Sequence, residues 1–200
     1  MRWVVCVWIV SCIFFVGSCG PKKAVTRVGA EDTPDLSGHW NPTDARLVGN
    51  TMIESCLASA WLRKFKEAQN HPPVVIVGKV VNKTAERIPV DTFVNDLRKA
   101  LINSGEVDFV ASSQEREEIR EERKEQALHA AEETQKAEGQ ETGADYMVKG
   151  VINEIIDEAG KTQLKYFQVE LTLIHLENNK IVWTDTQKIT KVIDRKKVGW

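Results

Sequence analysis

The chain has 200 residues, of which 42% are hydrophobic, and a formal net charge of −2 at pH 7. Setting aside a leader and a tether leaves about 160 residues, which suits one domain with a real hydrophobic core. Because 27 Lys and Arg face 29 Asp and Glu, there is no basic surplus, and nucleic acid is not indicated as a partner.

The N-terminus has the three-part pattern of a secretory signal peptide. Arg2 precedes an apolar run from Val4 to Val16 that only Ser11 interrupts. A helix of this length would span about 20 Å, which is too short for the ~30 Å hydrocarbon core of a bilayer. We therefore predict a cleaved lipoprotein signal peptide over residues 1–18 rather than a permanent membrane helix.

Cys19 ends that pattern and is the predicted lipidation site. Val16-Gly17-Ser18-Cys19 resembles a bacterial lipobox, in which small residues precede the cleaved bond and the thiol is acylated. Acyl chains contribute about 0.8 kcal/mol per buried CH₂, so two or three chains anchor a protein stably. Cys12 is a weaker candidate inside the apolar run, and an ordinary secreted protein with an incidental cysteine is the alternative. By resemblance to enterobacterial lipoproteins, Gly20 favours sorting to the outer membrane, with the domain in the periplasm.

Residues 19–40 are predicted to be a lipid-anchored flexible tether, because proline and glycine punctuate them without a sustained apolar period. Leu36 and Trp40 are large apolar side chains that a free tether would not need. We expect both to dock on the domain, which is predicted to cover residues 41–200.

The first half of that domain alternates helices with strands. Thr43 resembles an N-cap with Asp44 in the first turn, and apolar spacing predicts one helix continuing to about Gln69. Cys56 lies on its apolar stripe and is expected in the core. Further predictions are a buried strand over 74–81, a helix over 91–102, a short strand over 107–111 and a charged helix from 114 to about 138. The charged helix is expected to rest on a thin stripe of Ile119, Ala127, Leu128, Ala130 and Ala131.

In the last third of the sequence, apolar and polar residues alternate with the period of two that is typical of β-strands. We predict strands over 146–156, 164–176 and 181–189, with a hairpin turn at 177–180. In the middle strand one face carries Phe167, Val169, Leu171, Leu173 and His175. The order predicts a single compact α/β (α+β) domain, with a mixed sheet of about four to five strands flanked by three helices.

The sequence contains few candidates for chemistry. None of His39, His71, His129 and His175 belongs to a HExxH or CxxC pattern, and no GxSxG, P-loop or GxGxxG motif occurs. Gly78, alone in an apolar run, is interpreted as a close-packing position. We therefore expect no metal, no cofactor and no catalytic residue. A hydrolase with two isolated carboxylates stays open at this point.

The segment Asp35-Leu36-Ser37-Gly38-His39-Trp40-Asn41-Pro42-Thr43-Asp44 is the most specific pattern in the chain. With the later segments 73–78, 101–110, 143–150 and 181–183, it resembles the LpoB family of outer-membrane lipoproteins that activate peptidoglycan synthases. The resemblance covers roughly residues 31–190. In the segment, Asp35, Leu36, Ser37, Gly38, Trp40, Asn41 and Asp44 are interpreted as structural docking residues without a catalytic role.

The resemblance implies a domain like the N-terminal domain of TolB, and an activity that is not catalysis. The implied partner is a class A penicillin-binding protein, whose glycan polymerisation and peptide crosslinking the lipoprotein stimulates. Better-known members carry a longer tether, whereas residues 20–40 reach no more than about 70–75 Å. The alternatives are a structural or assembly lipoprotein, such as a curli-secretion-like subunit or scaffold, and an envelope enzyme.

Overall fold

The structure is a computed structural model that describes Thr26, Gly29 and residues 34–194. The predicted signal peptide, Cys19 and most of the predicted tether lie outside the described residues. The helices are α1 (Pro42–Ala58), α2 (Ala60–Ala68), α3 (Val90–Asn103) and α4 (Ser113–His129), with a 3-10 turn at Glu132–Thr134. The strands are β1 (Val74–Asn82), β2 (Asp108–Phe109), β3 (Tyr146–Ala159), β4 (Thr162–His175) and β5 (Ile181–Asp194).

The start of α1 corrects the predicted cap. Asn41, not Thr43, is the N-cap: its side chain accepts from the Asp44 backbone N–H at 3.1 Å, and Asp44 accepts from the Asn41 N–H at 2.9 Å. This reciprocal capping box satisfies two backbone donors that a helix start leaves free. Pro42 occupies the first helical position, where its missing N–H is not needed.

The prediction of a single helix from Thr43 to Gln69 is wrong, because the helix is interrupted at Ser59. The carbonyl of Cys56 accepts from the Ser59 hydroxyl at 2.9 Å and from the Trp61 indole at 2.8 Å. These bonds turn the chain and bury Trp61 at the start of α2. The described residues therefore contain four α-helices where three were predicted.

The sheet has the strand order β2-β1-β3-β4-β5. β1 is parallel to β2 and β3, whereas β3, β4 and β5 form an antiparallel meander, so the predicted mixed sheet is confirmed. Gly160, in the left-handed region with φ 63°, makes the tight turn between β3 and β4. β3 and β5 extend to Ala159 and Asp194, beyond their predicted ends, because their outer halves pair with β4.

The core lies between one face of the sheet and the helices α1 and α3. Met52, Phe93 and Leu97 from the helices are buried with Phe167 and Leu173 of β4. The predicted alternation of β4 is confirmed, and the structure shows which face is the core: Phe167, Val169, Leu171 and Leu173 are buried, while His175 is half-buried. Cys56 is also buried as predicted, and burial raises the pKa of its thiol to about 12.

Gly78 is a close-packing position, as predicted. A Cβ built at this glycine would lie 2.8 Å from Met147 Sδ, which is closer than side chains pack. The register between β1 and β3 shifts between Val77 and Val80, so the strand accommodates the irregularity beside this glycine.

The helix α4 differs from its prediction at both its end and its contact face. It ends at His129 rather than near Glu138, and none of its residues is buried. Ile119 and Leu128, which were expected on an apolar stripe, are exposed. The half-buried residues of α4 are instead polar, including Arg116, Arg123 and Gln126. No described helix is long and apolar enough to cross a bilayer.

Candidate functional site

Two lysines lie where the core face of the sheet should be apolar. Lys165 of β4 and Lys191 of β5 are direct cross-strand partners, and each side chain is only 7% exposed. Two like charges directly opposite on one face repel, and each loses its hydration on burial. Such a pair requires anionic partners nearby.

Three carboxylates supply that compensation. Lys165 Nζ lies 2.5 Å from Glu86 Oε1, and Lys191 Nζ lies 2.6 Å from both Asp35 Oδ2 and Asp44 Oδ2. We call Asp35, Asp44, Glu86, Lys165 and Lys191 the carboxylate–lysine cluster. Glu86 and Asp44 are themselves 11% and 8% exposed, so the cluster is largely screened from water.

Glu86 connects the cluster to the segment that precedes α1. Its carboxylate also contacts His39 Nδ1 at 2.8 Å and accepts from the Trp40 backbone N–H at 2.8 Å. Asn82 holds the loop in place, because its amide donates to the Glu86 carbonyl at 2.8 Å. One carboxylate therefore joins β4 to the segment before α1.

The segment before α1 packs on the sheet through Trp40 and Gly38. The Trp40 ring meets Phe167 edge to face, with ring centroids 5.6 Å apart. Gly38 has φ 68°, which favours glycine, and a Cβ at this position would lie 2.3 Å from Ile193 Cδ1, so a larger residue would require Ile193 or the segment to move. Asp35 Oδ1 accepts from the Gly38 N–H at 3.1 Å, which closes the turn.

Two residues of the predicted motif have minor places in this arrangement. The Ser37 hydroxyl accepts from the His39 N–H at 3.3 Å within the turn. The expectation that Leu36 docks on the domain is wrong, since its side chain is 89% exposed. The neighbouring turn is held by polar bonds of Asp35 and by Gly38, so the side chain of Leu36 is left pointing away from the core.

The pKa values of three groups in the cluster, Asp35, Glu86 and Lys191, are shifted by their partners. The hydrogen bond from Lys191 is the main cause that lowers the pKa of Asp35. Burial raises the pKa of Glu86, but hydrogen bonds from Lys165, the Trp40 backbone and His39 outweigh it and the net pKa is lowered. Burial likewise lowers the pKa of Lys191, and its bonds to Asp35 and Asp44 reverse the direction. These pKa shifts all favour the charged forms of Asp35, Glu86 and Lys191.

The contacts of this site anchor the segment before α1. Its two amines pair with three carboxylates, and the one cysteine of the described residues, Cys56, is buried in the core. No group of three or more His, Cys, Asp or Glu among the described residues could hold a metal ion. What the arrangement does is fix residues 35–44 against the sheet.

Sequence reasoning missed Glu86, Lys165 and Lys191. The alternation of β4 carried a signal for one of them, because Lys165 has the same parity as Phe167 and so belongs to the core face. A lysine predicted on a core face requires a carboxylate. Nothing in the sequence identifies Glu86, 79 residues away, as that partner.

A family model described as "Peptidoglycan-synthase activator LpoB" matches residues 44–189, well over half of the chain. No curated protein sequence matches the chain. The matched range runs from the first turn of α1 into β5, so it includes Asp44, Glu86 and Lys165 but not Asp35 or Lys191.

Solved structures similar to this chain include two LpoB domains and one bacterial lipoprotein. The LpoB C-terminal domain from Escherichia coli aligns with 16% identity and a TM-score of 0.45, covering 74% of this chain and 99% of that one. The corresponding domain from Salmonella enterica gives 18% identity and a TM-score of 0.36, with 64% and 91% covered. The lipoprotein GNA1162 from Neisseria meningitidis gives 11% identity and a TM-score of 0.40, with 64% and 88% covered.

Proposed function

Because the chain belongs to the LpoB family of peptidoglycan-synthase activators, we propose that it is a lipid-anchored outer-membrane lipoprotein whose periplasmic domain binds and activates a class A penicillin-binding protein. The family match over residues 44–189 carries this proposal. The lipobox pattern at Val16–Cys19 supports the anchor and the compartment.

The proposed activity is allosteric. An activator shifts its target only if it binds the active state more tightly than the inactive one. A rigid binding surface suits this role because little ordering entropy is lost on association. The buried core supports the long β3–β5 meander from one side, and the meander can provide such a surface.

The carboxylate–lysine cluster would then be the place where the tether joins the domain. Residues 35–40 are bound to the sheet, so only residues 20–34 are left to bridge from the lipid to the domain. Fully extended, those residues reach at most about 50 Å. The docked segment therefore shortens the reach below that of the 20–40 stretch, and the partner must approach the outer membrane.

Activation is tested with the purified full-length lipoprotein in detergent and the class A synthases of the same cell. We expect the lipoprotein to capture one synthase in a pull-down and to raise its rate of glycan polymerisation. Absence of both binding and rate change with every class A synthase would contradict the proposal. Turnover of wall fragments by the lipoprotein alone would favour an enzyme instead.

The anchor is tested separately by Cys19→Ala. This change removes the thiol that would be acylated, so we expect a precursor that is not processed and takes up no labelled palmitate. Cys12→Ala is the matched control and should label normally. The assignment of Cys19 would be wrong if Cys19→Ala labelled and Cys12→Ala did not.

A further inference from the structure

At the end of the domain opposite the carboxylate–lysine cluster lies a pocket of about 480 Å³. Trp61 and Phe65 of α2, Tyr146 of β3 and His175 of β4 line it together with Ile181 at the start of β5. A cavity of this size suits the insertion of a few side chains. Lys191 and Ile181 are ten residues apart on one strand, so about 33 Å separates the cluster from this pocket.

The wall of the pocket is a set of rings that support one another. Tyr146 lies 4.9 Å from both Trp61 and His175, and 5.8 Å from Phe65, measured between ring centroids. Tyr146 and Trp61 are buried, which makes the wall rigid, whereas Ile181 is 64% exposed at the mouth. The apolar area open to a partner therefore lies mainly at the mouth, on a rigid aromatic base.

The charged residues of the pocket are of one sign. Lys64 and Lys180 are exposed on its rim, and no Asp or Glu lines it. The Nδ1 of His175 is buried and has no hydrogen-bond partner among the described residues. The pocket therefore offers an apolar wall and two cations to whatever enters it.

We propose that this pocket is the docking site for an acidic segment of the synthase, which lays an apolar side chain against Phe65 and Ile181 at the mouth and places a carboxylate beside Lys64 and Lys180. This inference rests on the proposed function and names the surface that performs it. The position agrees with the role, since a surface at the end away from the tether is the one held farthest from the outer membrane.

The other candidate occupants fit less well. A wall glycan stacks on open ring faces, whereas Trp61 and Tyr146 are buried against neighbouring rings and the rim offers no carboxylate to bind sugar hydroxyls. Residues 195–200 follow β5 at the cluster end and extend at most about 22 Å, so they cannot reach the pocket. A protein segment with the opposite charge is the occupant that the chemistry favours.

The test is the affinity of the full-length lipoprotein for the class A synthase, measured at two salt concentrations. The double variant Lys64→Glu/Lys180→Glu reverses the rim charge, and we expect affinity to fall about tenfold or more, with the larger fall at low salt. Lys83→Glu/Lys161→Glu is the matched control, because it makes the same charge change at exposed lysines outside the pocket. Ile181→Asp tests the apolar mouth independently, and a near-normal melting temperature shows that each variant is folded.

The outcomes separate the two proposals. If the wild-type lipoprotein binds a synthase and both double variants bind it equally well, the pocket assignment is overturned while the proposed function stands. If the wild type binds no class A synthase, the proposed function fails and the pocket assignment fails with it. The assignment would also be overturned if the pocket variants lost binding to purified wall glycan but bound the synthase as well as the wild type does.

Discussion

Two regions of this domain are held by ion pairs, and they differ in burial. In the carboxylate–lysine cluster, Lys165 and Lys191 are each 7% exposed and lie between carboxylates. Beside α4, Arg120 and Arg123 converge on Glu141 at 2.8 and 2.9 Å, but Arg120 is 46% exposed. Breaking a buried pair leaves an uncompensated charge in the core, whereas water replaces a partner at the surface. The same chemistry therefore fixes one segment firmly and the other loosely.

The largest effect is expected when the cluster loses one partner. Glu86→Ala would leave Lys165 buried without its carboxylate, and it would remove the acceptor of the Trp40 N–H. We expect the free energy of unfolding to fall by about 3 kcal/mol. Urea unfolding followed by tryptophan fluorescence measures this. A change no larger than that of a surface substitution would show that the cluster does not anchor the segment.

The pH dependence of stability sharpens the comparison. The pKa of Asp35 and Glu86 are lowered in the fold, and that of Glu115, hydrogen-bonded by Ser112 and Arg98, is lowered to about 2. Between each lowered pKa and the ordinary carboxyl pKa of about 4, the unfolded chain binds more protons than the folded one, so stability falls as the pH falls. Glutamine does not titrate, so Glu86→Gln removes the contribution of Glu86 to this pH dependence.

Urea unfolding at several pH values from about 6 to about 3 therefore has a defined outcome. The Glu86→Gln variant should lose less stability over this range than the wild type, although it starts from a lower value. Parallel declines in the two proteins would contradict the paired state of Glu86. The raised pKa of Lys191 places its loss of stabilisation at alkaline pH, above about 10.5.

The smallest effect is expected at α4. Glu141→Gln removes the partner of Arg120 and Arg123, but none of the residues of α4 is buried. We expect the free energy of unfolding to change no more than it does for an ordinary surface substitution. Hydrogen exchange should instead show faster exchange confined to α4. A destabilisation as large as that of Glu86→Ala would mean that burial does not distinguish the two regions.

Local patterns predicted most of the sheet, and long-range partners decided the rest. The alternation of β4 placed Phe167 correctly because a strand exposes alternate residues to one face. The break at Ser59 could not be predicted from apolar spacing, since it depends on the Trp61 indole bonding to the Cys56 carbonyl. The length of α4 was overestimated because strong helix formers continue past His129, whereas the chain leaves the helix at Ala130, which is extended.

The candidate site divides in the same way. Trp40 could be identified from its apolar size and Asp44 from its place in the first turn, although the cap was assigned to Thr43 instead of Asn41. Glu86 and Lys191 could not, since each meets that segment only after the chain has folded through the sheet. Leu36 shows the converse error: an apolar residue in a motif is not thereby a core residue.

The central claim, that this domain acts by binding a peptidoglycan synthase, is tested most directly on the native lipoprotein in the cell. Mild crosslinking followed by purification through the lipoprotein should recover a class A penicillin-binding protein, and the yield should fall in the Lys64→Glu/Lys180→Glu variant at equal lipoprotein abundance. Recovery of no class A synthase from crosslinked cells would contradict the account.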